Sequence, residues 1–124
     1  LVLSEAGASA GLNLHWDRYA LLGTGWRRGP ADAVLRLAPD WRGAPPPDAV
    51  VQVAERRGCD LSPLDPVRDW LRILSYLWPD QAGRLALTGA ALTLPPAPVD
   101  RADAGDWLPA RAAPRAGSCH LICH

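Results

Sequence analysis

The sequence predicts an α/β domain built on an open sheet, and three observations support this fold class. A short apolar run, Leu1–Ala6, has the length and composition of a buried strand. A turn of small residues follows, and after it apolar residues recur at helical spacing. Strand and helix patterns then alternate along the chain, which is typical of a sheet that is covered by helices.

Composition limits the classes of function. The 13 basic residues are all arginine, so a Gly-Lys-Ser/Thr phosphate-binding loop and a Schiff-base lysine are excluded. The formal net charge is +0, and therefore no overall field favours nucleic acid or an anionic membrane. No apolar run approaches the ~20 residues of a membrane span. Three cysteines do not make a disulfide framework, which favours a cytoplasmic setting.

We expect residues 1–124 to be part of one α/β domain. Residues 1–22 form the strand, the glycine turn and an amphipathic helix. Residues 23–49 form an insertion with the features of a β-hairpin, and residues 50–124 supply the remaining strands and helices. Because the chain lacks Met and has strand patterns at both ends, we expect an incomplete domain, a fragment that is marginally stable alone.

The later elements are predicted from local signals. Strands are expected at residues 34–37, 50–53, 99–102 and 118–123. Asp65 is the expected N-cap of a helix with Pro66 at its first position. Apolar residues at 67, 70, 71, 74, 77 and 78 predict a core-facing stripe along that helix. Pro79 ends it, and a second helix is expected from Asp80 until Pro95.

The glycine turn is the first candidate for a binding site. It joins a strand that ends near Glu5 to the start of a helix, where main-chain N–H groups favour an anionic or nucleotide-like ligand. Gly7 and Gly11 tolerate backbone conformations that other residues resist, and the small side chain of Ser9 leaves space for a ligand. The turn therefore predicts binding of a small molecule.

Four segments resemble a family of uncharacterised bacterial proteins, a domain of unknown function. They are the Gly-Ala-Ser-Ala-Gly-Leu-Asn-Leu turn, an Asp-Arg-Tyr segment, a Gly-x-Asp-Leu-x-Pro-Leu-Asp-Pro segment and a Trp-Pro-x-Gln break. In this chain they are residues 7–14, 17–19, 58–66 and 78–81. The resemblance extends over most of the chain and implies no particular activity.

A more distant resemblance implies a fold and a cofactor. Glu5 and the turn at 7–11 are similar to the start of class I S-adenosylmethionine-dependent methyltransferases, where an acidic strand end precedes Gly-x-Gly-x-Gly. Asp60 is similar to the acid that binds the cofactor ribose there, and Asp103, within Ala-Asp-Ala, to the acid that contacts the adenine. The resemblance implies a Rossmann-like, methyltransferase-type open sheet with helices on both faces. It implies that S-adenosylmethionine binds at Glu5, Gly7, Ser9, Gly11, Asp60 and Asp103.

One alternative is a methyltransferase-like fold with a degenerate site, which acts as a structural or protein-interaction module. Ser9 stands where the methyltransferases have their middle glycine. Asp60 also lies beyond the ~20-residue spacing of a ribose-binding acid in a simple βαβ unit. Trp26 and Trp41 in the insertion offer aromatic surface for an interface.

A second alternative is a serine hydrolase. Residues 7–11 also fit the Gly-x-Ser-x-Gly nucleophile elbow, with Ser9 as nucleophile and His120 or His124 as base. No metal site is expected at the end of the chain, because Cys119 and Cys123 alternate with these histidines on opposite faces of a strand. The sequence names neither a methyl acceptor nor an oligomeric state.

Overall fold

The computed structural model of the protein describes residues 1–124 and contains two sheets and four helical segments. The strands are β1 Val2–Ala6, β2 Tyr19–Gly23, β3 Trp26–Arg28, β4 Leu35–Leu37, β5 Glu55–Asp60, β6 Val99–Arg101 and β7 His120–Cys123. The helices are a 3₁₀-helix at Leu12–Arg18, α1 Trp70–Ser75, α2 Ala82–Ala91 and α3 Ala104–Arg111. None of these helices has the length and apolar character that a membrane crossing requires.

The main sheet has four parallel strands in the order β6-β5-β1-β7. If the four strands are numbered in chain order, β1 is the first, β5 the second, β6 the third and β7 the fourth. The order across the sheet is then 3-2-1-4. Glu5 of β1 is level with Gly58 of β5 and with Cys123 of β7. The predicted α/β class with a parallel sheet is confirmed, and the carboxyl ends of all four strands share one edge.

Helical segments cover both faces of the central strand β1. On one face Leu3 packs against Leu14 of the 3₁₀-helix and Ala97 before β6. On the other face Ser4 is fully buried, and the Arg111 side chain of α3 lies 3.5 Å from its hydroxyl. The core therefore surrounds the strand that leads into the glycine turn.

The predicted first helix is only partly correct. The chain forms a 3₁₀-helix to Arg18 and then continues as β2, whereas the apolar spacing predicted a helix until about residue 22. Tyr19 and Ala20 are buried in β2, where they pair with Leu35 and Arg36 of β4. Short apolar runs fit either helix or strand, and here pairing with a distant strand decides.

A second sheet has the order β3-β2-β4, and β3 and β4 come from the predicted insertion. The antiparallel pair β2–β3 is a β-hairpin, but its first strand, Tyr19–Gly23, precedes the predicted insertion, whereas β4 lies within the predicted strand 34–37. The strand predicted at 50–53 is wrong, because regular structure resumes only at Glu55. Val50 and Val51 are 94% and 45% exposed, and Val53 packs against the core cluster of Leu3 without belonging to a strand.

The prediction of a long core-facing apolar stripe after Asp65 is also wrong. The Asp65 carboxylate accepts hydrogen bonds from the N–H groups of Val67 and Arg68, but α1 begins only at Trp70. Asp65 thus caps a turn that precedes α1, and Ile73, which lies outside the predicted stripe, is the buried side chain of α1. The residues of the stripe that are exposed are Val67, Trp70, Leu71 and Trp78.

The second helix and the last two strands are confirmed. α2 begins two residues after Asp80, β6 covers most of 99–102, and β7 covers most of 118–123. The helix α3 fills part of the stretch between these strands, for which no element was predicted. Pro109 within α3 weakens the helical pattern of that stretch in the sequence.

Candidate ligand-binding site at the carboxyl edge of the main sheet

The glycine turn is fixed by main-chain hydrogen bonds to neighbouring segments. The Ala8 N–H donates to the Cys59 carbonyl of β5 at 2.9 Å, and the Leu64 N–H donates to the Ser9 carbonyl at 3.1 Å. Gly7, Ser9 and Gly11 have φ values of 71°, 52° and 69°. The turn is therefore held against the end of β5 in a left-handed conformation that suits its two glycines.

Gly7 and Gly11 have different surroundings. A Cβ atom at Gly7 would meet nothing within 4 Å, so the backbone there is open to a ligand. At Gly11 a Cβ would lie 3.0 Å from the Val99 side chain and 3.2 Å from that of Ala97. Gly11 is thus required for packing, and only the Gly7 end of the turn is accessible.

Asp60 is the last residue of β5 and binds the glycine turn directly. One carboxylate oxygen accepts the Ser9 N–H at 2.8 Å, and the other accepts the Ser62 N–H at 2.8 Å. A carboxylate has about four lone-pair positions, so both oxygens retain capacity for a further donor. The long sequence gap before Asp60 is accounted for by the second sheet, and Asp60 still ends the strand beside β1.

Asp103 lies two residues after the end of β6, at the same edge of the sheet. It is the N-cap of α3, and its side chain accepts the Gly105 N–H at 2.8 Å. A carboxylate at this position is stabilised by the partial positive charge of a helix N-terminus. The capping role accounts for an aspartate at this position. It leaves the second carboxylate oxygen available to accept a hydrogen bond from a ligand.

A pocket of about 250 Å³ lies between these segments. Its lining residues are Gly7, Cys59, Asp60, Leu61, Ala102, Asp103 and Ala104. Gly7, Asp60 and Asp103 thus lie together, at the ends of three strands that are adjacent in the sheet. Ser9 takes part through its main-chain N–H, whereas Glu5 and Gly11 lie outside the lining.

Glu5 is directed into the protein and does not line the pocket. It is 4% exposed, and one carboxyl oxygen accepts a hydrogen bond from the Asn13 side chain at 2.8 Å. The other oxygen is buried without a partner. Burial raises the pKa of Glu5 above its ordinary value, against the effect of the Asn13 hydrogen bond. Glu5 therefore connects the end of β1 to the 3₁₀-helix.

Two contributors to the site were missed from the sequence. Cys59 is fully buried, lines the pocket and holds the turn through its carbonyl, and burial raises the pKa of its thiol. Asn13 is the hydrogen-bond partner of Glu5. The position of Asn13 close to the glycine turn is a signal that the sequence offered. Cys59 acts through its main-chain carbonyl, and the identity of a side chain does not indicate such a role.

The histidines named for a hydrolase lie at different levels of β7. His120 is level with Val2 at the amino-terminal end of β1, and its Nε2 lies 2.8 Å from the Ser4 hydroxyl. Ser9 follows the opposite end of that strand. His124 follows Cys123, which is level with Glu5. The structure therefore pairs His120 with Ser4 rather than with Ser9.

Fold and site together define a mixed α/β protein whose parallel sheet has a pocket beside a glycine turn at its carboxyl edge. The profile of the family DUF2332, described as an uncharacterized protein conserved in bacteria, matches residues 1–124. The chain therefore belongs to this family, as its four motifs predicted. No curated protein and no solved structure matches the chain.

Proposed function

We propose that the protein binds S-adenosylmethionine or a related adenosine compound at the carboxyl edge of its main sheet and acts as a methyltransferase. The observation that carries this proposal is the pocket lined by Gly7, Asp60 and Asp103. These are the positions that the methyltransferase resemblance assigns to the backbone approach, the ribose and the adenine.

The strand order supports a Rossmann-like fold of the methyltransferase type. Numbered along the chain, the strands of the main sheet lie in the order 3-2-1-4. Rossmann-type sheets begin with the same order, and their ligands bind outside the carboxyl ends of the strands, where the order reverses. The pocket beside Gly7 lies at the carboxyl edge, at the ends of β1, β5 and β6, and the order reverses next to it, between β1 and β7.

Each residue has a chemical role in this proposal. The open position at Gly7 lets the ligand approach the main chain, and Asp60 accepts ribose hydroxyl donors while it holds the Ser9 N–H. Asp103 accepts a hydrogen bond from the adenine amino group through the carboxylate oxygen that does not cap α3. When bound, S-adenosylmethionine supplies an electrophilic methyl group, and the protein contributes proximity and orientation.

Calorimetric titration with S-adenosylmethionine and S-adenosylhomocysteine tests the proposal. We expect saturable binding that weakens roughly ten-fold in Asp103→Asn, because Asn still caps α3 but is no charged acceptor for the adenine amino group. Asp106→Asn, an exposed acid in the first turn of the same helix, is the matched control and should bind as the parent does. Folded protein that gives no heat with either compound refutes the proposal.

The degenerate-site alternative also has a specific observation in its favour. Both oxygens of Asp60 already accept main-chain N–H groups, so this carboxylate has a complete structural role without any ligand. In that case the fold serves as a protein-interaction module, and neither adenosine compound binds. The expected cytoplasmic setting, in which the three free thiols stay reduced, remains a prediction.

A further inference from the structure

A second cavity, of about 530 Å³, lies between the end of the 3₁₀-helix, the β2–β3 hairpin and the proline-rich segment that precedes β5. Its lining residues are Trp16, Asp17, Tyr19, Leu21, Arg28, Gly29, Pro30, Pro46, Pro47, Asp48, Ala49 and Val51. None of them lines the pocket beside Gly7. The volume lies within the range of about 300–1,000 Å³ that is typical of small-molecule sites.

The walls of this cavity are held by specific contacts. Arg28 donates two hydrogen bonds to the Pro46 carbonyl, from Nε at 3.1 Å and Nη2 at 2.8 Å. They fasten the stiff proline-rich segment to the end of β3. Gly29 packs so closely that a Cβ atom there would lie 2.2 Å from the Tyr19 carbonyl oxygen. The cavity is therefore a built feature of the insertion.

When Arg56 is counted, the carboxylates and guanidinium groups around the cavity balance, but the most exposed of these charges is the Asp48 carboxylate. Its lining contains two carboxylates and one guanidinium. Asp17 is neutralised from outside the cavity by Arg56, whose Nη1 and Nη2 lie 2.7 and 2.9 Å from its oxygens. Arg28 directs Nε, Nη1 and Nη2 to main-chain carbonyls. The Asp48 side chain is 90% exposed, and Arg28 Nε approaches it only to 3.9 Å. Asp48 therefore remains available to a ligand.

The other groups suit an apolar body that carries this charge. Trp16, which is 38% exposed, lines the cavity together with the buried Tyr19, and indole faces attract cations. Pro47 and Val51 add aliphatic surface beside Asp48. We propose that this cavity binds a small organic cation, namely an amine with an apolar substituent. The proposal does not depend on S-adenosylmethionine binding at the other site.

Calorimetry at low ionic strength with 2-phenylethylammonium as the probe tests this proposal, since salt screens exposed charges. The neutral analogue 2-phenylethanol and the anion 3-phenylpropionate serve as comparison compounds. We expect saturable binding of the ammonium compound and at least roughly ten-fold weaker binding of both others. Equal binding of the alcohol, or no binding of the ammonium compound, overturns the proposal.

Two pairs of variants locate the site. Asp48→Asn should weaken binding about five-fold, whereas Asp80→Asn, in an exposed acid outside the cavity, should not change it. Trp16→Leu should weaken binding roughly ten-fold, whereas Trp41→Leu, in an exposed tryptophan outside the cavity, should have no effect. Affinity that is unchanged in both Asp48→Asn and Trp16→Leu also overturns the proposal.

Discussion

The central strand β1 has two parallel neighbours that differ in how firmly they are packed. On one side Gly58 and Cys59 of β5 are buried, and β5 also holds the glycine turn through the Cys59 carbonyl and the Asp60 carboxylate. On the other side β7 is an edge strand, and its Leu121 and Ile122 are 43% and 44% exposed. The candidate site is built on the more deeply buried side of β1.

Close packing on the β5 side is reinforced by a half-buried ion pair. Arg56 donates to both oxygens of Asp17 and, at 2.7 Å, to the Leu14 carbonyl, so that β5 also anchors the 3₁₀-helix. Burial raises the pKa of Asp17, but the hydrogen bonds and the charge of the Arg56 guanidinium together outweigh it, so the pKa is lowered. A rigid support of this kind lets a turn keep its geometry with little side-chain help.

The largest effect is expected on the β5 side from Gly58→Ala. The new Cβ atom would lie 2.5 Å from the Ala8 Cβ, which cannot move without displacing the turn. We expect the free energy of unfolding to fall by about 2–3 kcal/mol in chemical denaturation. Gly89→Ala in α2 is the matched control, because its Cβ meets nothing within 4 Å and should stabilise the protein by up to about 1 kcal/mol. Equal stability of the two variants would contradict the comparison.

A smaller, pH-dependent effect is expected at Glu5 on β1 itself. Burial raises the pKa of Glu5 in the folded state, so the unfolded chain loses this proton first as pH rises above about 4.5. The stability of the parent therefore declines through that window. Gln keeps the acceptor for Asn13 without the charge, and Glu5→Gln should be more stable than the parent at neutral pH.

Denaturant unfolding of the parent and Glu5→Gln at about pH 4 and about pH 7 measures this effect. The advantage of the variant should vanish at the lower pH, where the parent carboxyl is protonated in both states. An advantage of the same size at both pH values would show that ionisation of Glu5 is not its cause. Loss of the advantage at the lower pH would support a structural role for the buried acid of β1.

The smallest effect is expected on the β7 side, from Ile122→Thr. Thr keeps the β-branched shape that suits a strand, and the side chain is already 44% exposed. The free energy of unfolding should change by less than about 0.5 kcal/mol, as for most surface substitutions. A thermal transition lowered as far as that of Gly58→Ala would mean that both sides of β1 are packed alike.

Local signals were sufficient where neighbouring residues alone decide the conformation. The apolar run of β1, the glycine turn and the helix after Asp80 agree with the structure because each depends on composition within a few residues. The same is true of Asp65, whose carboxylate caps the turn that follows it. The helix expected there begins only at Trp70, and it buries Ile73 because this side chain packs against Ala10 and Leu64, which lie outside the helix.

The sequence by itself determined the α/β class, the family and the residue types at the strand ends. Only the tertiary structure decided that Tyr19 begins a strand, that Glu5 is buried and that Gly7, Asp60 and Asp103 meet at one pocket. The physical reason is that strand pairing and burial join residues far apart in the chain. The free energy of strand pairing and burial arises from contacts in the packed sheet, and the local residue pattern does not encode these contacts.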